Sequence, residues 1–265
     1  MGLLIVNADD FGGNRLANER IVECFAIGAI TSATAMVYMD HSEQAAEMAR
    51  ERDLAVGLHL NLTQPFEADA VPEEVRRRQL RVSAHLARRR HRYMFDPALF
   101  GEVRRCIEDQ LRRFVEIFER QPTHLDGHNH GHLSPTALMA LPRGVAVRTA
   151  ESEVGAGPIG KLVRTARHRL ITRRQQTTDY FFAISRLQPE RLRSPAGDEP
   201  LLELARTATV EIMAHPDRDG DYRLLSSAAW LRTLEDLPTG SYARLGEGRE
   251  KSAAAQKQGA HRSVG

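Results

Sequence analysis

Leu3-Leu4-Ile5-Val6-Asn7-Ala8-Asp9-Asp10-Phe11-Gly12 opens the chain with a short apolar run that stops at two adjacent carboxylates. The run from Leu3 to Ala8 reads as a strand, and Asn14 is placed to cap a helix reaching about Ile27, with Gly28 at its C-terminal end. Five further apolar runs read as strands: Ser32 to Tyr38, Leu54 to Leu62, Thr123 to Asn129, Gly144 to Thr149 and Thr207 to Ala214. Helical patterns separate most of them. Asp96-Pro97 opens the clearest, in which Leu99, Val103, Ile107, Leu111, Phe114, Val115 and Phe118 form one apolar stripe up to Glu119. Strands alternating with helices predict an α/β fold with a parallel sheet, open or closed into a barrel.

The polar residues fall at particular places along this pattern. Asp9-Asp10, His59 and Asn61, the histidines around His128, and His215 each lie at or near the C-terminal end of an expected strand. In parallel α/β folds that edge is where ligands bind. Four separate segments therefore deliver ionisable groups to one rim.

Each segment alone says little. An Asp-Asp pair is more commonly a turn or a helix cap, yet two carboxylates leaving a strand in different directions can also divide the work of cation binding and proton transfer. In Gly57-Leu58-His59-Leu60-Asn61-Leu62-Thr63 the polar residues alternate with leucines, as on a strand with one polar side. Thr123-His124-Leu125-Asp126-Gly127-His128-Asn129-His130-Gly131-His132 holds four of the eleven histidines. In an extended segment His124, Asp126, His128, His130 and His132 would share a face. Same-face neighbours on a strand are about 6.5 to 7 Å apart, too far for more than one or two to serve one ion, so the other ligands must come from elsewhere. In Glu211-Ile212-Met213-Ala214-His215-Pro216 the proline biases His215 toward extended geometry, and a histidine fixed there suits general acid chemistry near neutral pH.

Composition narrows the function further. The chain has 265 residues and a formal net charge of +2, so it is not expected to bind nucleic acid through bulk charge. Arg76 to Arg92 holds eight arginines and no acid, and Lys161 to Arg174 holds six more basic residues. With only three lysines in the chain, arginine is its default surface cation, and a solvated helix face explains these runs better than an anion site. Cys24 and Cys106 lie in helical patterns far apart, as buried free thiols of a reducing compartment would. No basic leader and no apolar run of membrane-spanning length is present, and a cytoplasmic location is expected. One domain over 1–245 is expected, followed by a disordered tail from Gly246 to Gly265 that is poor in apolar residues.

Asn-Ala-Asp-Asp-Phe-Gly, Gly-Leu-His-Leu-Asn-Leu-Thr, Thr-His-Leu-Asp-Gly-His-Asn-His-Gly-His and Met-Ala-His-Pro, in this order and spacing, resemble the YdjC-like carbohydrate deacetylase family, which includes chitooligosaccharide and hopanoid-associated deacetylases. The resemblance runs from about Leu3 to Gly246 and includes Gly240-Ser241-Tyr242. It implies a distorted (β/α) barrel with a metal site at the C-terminal ends of parallel strands. By motif, Asp10, His59 and His128 would bind one divalent ion, Mg²⁺ or Zn²⁺, with Co²⁺ and Mn²⁺ also suited to such ligands. Asp9 would be the general base and His215 the general acid, with Asn61, Asp126, His130 and His132 orienting the ligands or contacting substrate. The implied reaction is removal of an N-acetyl group from an amino sugar or glycolipid head group. No membrane span or nucleic-acid partner is expected, and homo-oligomerisation is compatible. A metal-dependent phosphoesterase and a non-catalytic glycan-binding relative remain rival readings. Gly127-His128-Asn129, Gly12-Gly13-Asn14 and the Arg76 to Arg92 segment, expected over the site's mouth, depart from or vary within the family pattern and bear on substrate identity.

Overall fold

The structure is a computed structural model and describes residues 2–88, 93–150, 152, 158–192 and 199–245. In chain order the elements are β1 (Leu3–Phe11), α1 (Arg15–Ala26), β2 (Ser32–Ala35), α2 (Ser42–Glu51), β3 (Val56–Leu60), α3 (Glu73–Leu86), α4 (Pro97–Phe118), β4 (Leu125–Gly127), α5 (Pro135–Ala140), α6 (Pro158–Thr172), β5 (Tyr180–Ala183), α7 (Pro189–Leu192), α8 (Pro200–Glu203), β6 (Thr209–Ala214), α9 (Asp219–Leu225) and α10 (Ala228–Glu235). The strands are all parallel in the order β4-β3-β2-β1-β6-β5.

β1 lies between β2 and β6, which explains its unbroken apolar sequence: a strand with both neighbours and both faces covered has no solvent side. Leu4, Val6 and Ala8 face the main core beneath the helices, whereas Leu3 and Ile5 pack with Ala146 and Tyr242 in a second, inner cluster. The inner face then turns polar toward the C-terminal ends, with Asn7 and Asp9 on β1 and Ser32 and Thr34 on β2 all buried. Around Ala146 to Arg148 the chain bonds β4 on one side, through Leu125, and Gln176 on the other. Ser152 then bonds Phe181 of β5. The two sheet edges are thereby joined, and the α/β architecture is the distorted barrel.

The helix signals are where the sequence places them. Asn14 Oδ1 accepts from Ala17 N at 2.8 Å, and Gly28 follows α1 with φ +74°. Asp96 caps α4 by accepting from Ala98 N at 2.9 Å, and Glu119 ends it in the left-handed region. Several strand expectations change. The expected Gly144–Thr149 strand forms only single bridges at Ala146 and Val147, because it spans the gap between two edges rather than pairing along either. β5 lay outside the expected strands, being four residues long. Ser32 to Tyr38 is a strand only to Ala35, since Met36 N bonds Phe11 O and Tyr38 turns with φ +63°. Gly246 to Gly265, expected as a tail, lies outside the described residues.

Cys24 and Cys106 are buried and unpaired. In the arginine-rich segment, Arg76 donates to the carbonyls of Phe66 and Ala68, Arg77 pairs with Glu73, Arg78 with Glu74 and Asp109, and Arg81 with Glu102. Arg76, Arg78 and Arg81 hold α3 to its surroundings while Arg77 pairs within the helix, and Arg89, Arg90 and Arg92 lie outside the described residues.

Candidate metal centre

Asp10 owes its position to a fault in β1. The β1–β2 register shifts between Ala8 and Phe11, and Asp10 sits at φ +65°, a conformation that Asp tolerates better than most residues. This bulge separates the two carboxylates. Asp9 stays on the inner face at 2 % exposure, while Asp10 turns out toward the rim.

Three histidines from three other strand ends meet Asp10. His59 Nε2 lies 3.2 Å from Asp10 Oδ1, His128 Nδ1 2.9 Å from the same oxygen, and His215 Nε2 3.7 Å from Oδ2. His59 is held from behind, with Nδ1 2.7 Å from Asp126 Oδ1, and Thr34 donates to the other Asp126 oxygen at 3.0 Å. A proton on Nδ1 of His59, given to Asp126, leaves Nε2 as the atom that faces Asp10. Such a carboxylate-backed imidazole is the usual support of a metal-binding histidine. Asp10, His59 and His128 each offer a donor atom within 4.8 Å of the others, so one divalent ion fits between them.

The charges agree with that fit. Burial would raise the Asp10 carboxyl, but hydrogen bonds from His128 and His59 outweigh it and hold the group well below the usual carboxylate range. Burial pulls His59 down, and the Asp126 carboxylate beside it more than reverses this, so the ring favours its charged form. A carboxylate kept ionised beside two imidazole rings is one that a cation can bind in place of those hydrogen bonds.

The turn after β4 differs from the extended run read from the sequence. The strand ends at Gly127, and a 3-10 turn follows over His128–Leu133, with Asn129 and His130 both left-handed at φ 52° and 55°. The chain therefore curls back, and the five even-numbered side chains do not share a face. His128 alone of them reaches Asp10. His124 is buried below, stacked on Tyr242 with ring centroids 3.8 Å apart. His132 folds under Gly127 and its Nε2 lies 3.2 Å from the Arg148 carbonyl. A side chain at position 127 would meet that ring at 2.9 Å, so the glycine is required by the curl. His130 packs edge-on against Phe181. Asn61 is also turned from the rim: its Oδ1 accepts from Thr63 N and Gln64 N, closing the loop after β3.

Arg148 was not singled out from the sequence, yet it organises the floor of the site. Fully buried, it gives Asp9 two hydrogen bonds of 2.6 and 2.7 Å and lies 2.7 Å from both Asp126 Oδ2 and Glu211 Oε1. Tyr242 donates to the other oxygen of Glu211. Burial would raise Asp9, but the Arg148 guanidinium holds it below its ordinary value; at Glu211 burial prevails and the carboxyl is raised to about 6. The signal was present: a charged residue within Val145-Ala146-Val147-Arg148, and another within Val210-Glu211-Ile212, must be paired if those runs are buried.

The family model described as "YdjC-like protein" matches residues 3–247. A chitooligosaccharide deacetylase of Citrobacter koseri is 38% identical over 158 residues, covering 57% of this chain and 61% of the relative. One from an Enterobacter species is 38% identical over 157 residues, covering 55% and 58%. The chain thus spans less than two thirds of the length of the curated relatives it matches. A solved structure from Enterococcus faecalis, of a protein named for a proposed role in cellobiose-phosphate cleavage, superposes with TM-score 0.68 at 21% identity. The superposition covers 92% of this chain and 98% of that one, and carries the fold.

Proposed function

The chain belongs to the YdjC-like protein family, and from that premise we propose that it is a metal-dependent deacetylase removing the N-acetyl group of an amino sugar in a chitooligosaccharide or related glycan. The observation that carries the reading is the meeting of Asp10, His59, His128 and His215 from four strand ends, above a buried Asp9. In this reading Asp10, His59 and His128 hold one divalent ion. Two imidazoles and a carboxylate favour Zn²⁺, Co²⁺ or Mn²⁺ over Mg²⁺, which prefers oxygen donors. When bound, such an ion polarises the acetamide carbonyl and makes a water molecule acidic at neutral pH.

The remaining chemistry belongs to side chains. Arg148 keeps Asp9 ionised and fixed, with Asn7 donating to its Oδ1 as well. Asp9 Oδ2, partnered by Arg148 Nη1, takes the proton of the attacking water. His215, held by its backbone N–H on Asp221 at 2.8 Å, gives a proton to the departing amine. Asp126 positions His59, while Asn61 and His132 hold the surrounding turns and His130 packs against Phe181. The two buried, unpaired cysteines suit a reducing cytoplasm, and no described helix is long and apolar enough to cross a membrane.

The test is an acetate-release screen over N-acetylglucosamine oligomers and other acetylated glycans, with Zn²⁺, Co²⁺, Mn²⁺ and Mg²⁺ supplied in turn. Acetate with an equal amount of free amine is expected from at least one. Phosphate release from sugar phosphates without acetate release would select the phosphoesterase reading instead.

A further inference from the structure

We propose that Arg148 is a built-in cation occupying a second ion position, and that it limits the centre to one metal ion per chain. The inference rests on the reading of Asp10, His59 and His128 as the metal centre. Next to that trio lies a second set of donors able to converge on one ion, Asp9, His59 and Asp126, sharing His59 with the first and entirely buried. The guanidinium of Arg148 already bridges its two carboxylates. Nη1 contacts Asp9 Oδ2 at 2.6 Å and Asp126 Oδ2 at 2.7 Å; Nη2 contacts Asp9 Oδ1 and Glu211 Oε1, each at 2.7 Å; Nε contacts Glu211 Oε1 at 2.8 Å.

Asp9 and Asp126 supply the carboxylates of that set, and Glu211 lies beside them on the same guanidinium; none of the three is more than 2 % exposed, and buried carboxylates of this kind suit a divalent cation. An arginine keeps its charge at any physiological pH and presents a planar fork to several carboxylates at once. It therefore satisfies the negative charge permanently, where an exchangeable ion would do so only when bound. Removing it leaves three buried carboxylates that cannot all remain ionised without another cation. A second ion is the natural replacement, and a one-ion centre becomes a two-ion centre through one substitution.

Equilibrium dialysis against Co²⁺ decides the matter. The wild-type chain should bind one ion and Arg148→Met two, with the thermal stability lost on substitution largely restored as Co²⁺ saturates. Arg148→Met/Glu211→Gln, which lightens the buried charge, should also bind two. A wild-type stoichiometry of two overturns the proposal while leaving the Asp10 centre intact. So does a folded variant that still binds one ion, or failure of both variants to fold at saturating Co²⁺. A wild-type chain that binds none overturns the Asp10 centre itself, and this proposal with it.

Discussion

At His124 burial removes the water that would stabilise a charged imidazole, and the ring is pushed down to about 3; His132 is pushed down to about 3 for the same first reason. In the unfolded chain both would titrate near 6.5. Between those values the unfolded state binds more protons, so the stability these rings supply is complete above about pH 6.5 and is lost as pH falls toward 3. Each should cost about 2 kcal/mol by pH 5. Glu211, raised to about 6, acts in the opposite sense by losing stability as pH rises from about 4.5 through 6, but it is common to wild type and variant. His124→Phe keeps the stack on Tyr242 and should lose less stability than wild type between pH 7.5 and 5.0 in urea unfolding; equal losses would contradict the assignment. At the metal centre Asp10→Ala, His59→Ala and His128→Ala should abolish metal binding, and retained stoichiometry in His128→Ala would refute its role. Asp9→Asn should keep the ion and lower turnover by 100-fold or more, whereas His215→Ala should slow turnover with the ion bound. The residues at strand ends were legible in the sequence because four separate segments bring ionisable groups to the ends of expected strands, a coincidence that no one segment establishes alone. Which partners Arg148 and Glu211 meet was not, because a buried charge shows in the sequence only that a partner is needed, and these partners come from other elements of the fold.

Among the elements, β1 and the turn after β4 do the positioning. The alternation of apolar runs with capped helices was enough to read the parallel sheet, and Asn14 and Asp96 cap as their sequence contexts imply. What periodicity could not convey is where a strand stops. The histidine run looks extended because its polar residues alternate, yet Gly127 lets the chain curl and the 3-10 turn separates the rings. Short β5 and the single-residue bridges at Ala146 and Val147 likewise leave too weak a pattern, being fixed by tertiary pairing. Gly57 offers a direct test of this packing. A Cβ there would come within 2.5 Å of His124 Nδ1 and 2.8 Å of the His124 carbonyl oxygen, so β3 and β4 would have to move apart. Gly57→Ala should lower stability by about 1–3 kcal/mol; an unchanged Tm would show that the two strands are not so closely apposed.

For the whole molecule, closing the barrel brings residues as distant as Asp9, His59, Asp126, Arg148 and Glu211 into one buried charge network. Asp9, Asp126 and Glu211 share one permanent cation there, and a divalent ion bound at Asp10 would offset much of the remaining charge. Metal should therefore stabilise the folded chain by mass action, by about 2.7 kcal/mol at a hundred times Kd. The rise in Tm should vanish in Asp10→Ala, and an equal rise in both proteins would place the ion elsewhere. Activity is the stricter criterion, since a site can bind metal and do no chemistry. The most direct measurement is the simultaneous yield of acetate and free amine from N-acetylglucosamine oligomers incubated with the metal-loaded wild-type chain and with Asp10→Ala. Equal, time-dependent amounts of both products from the wild type and none from the variant are predicted; a metal-bound wild type that releases neither, or a variant that releases as much, would contradict the account.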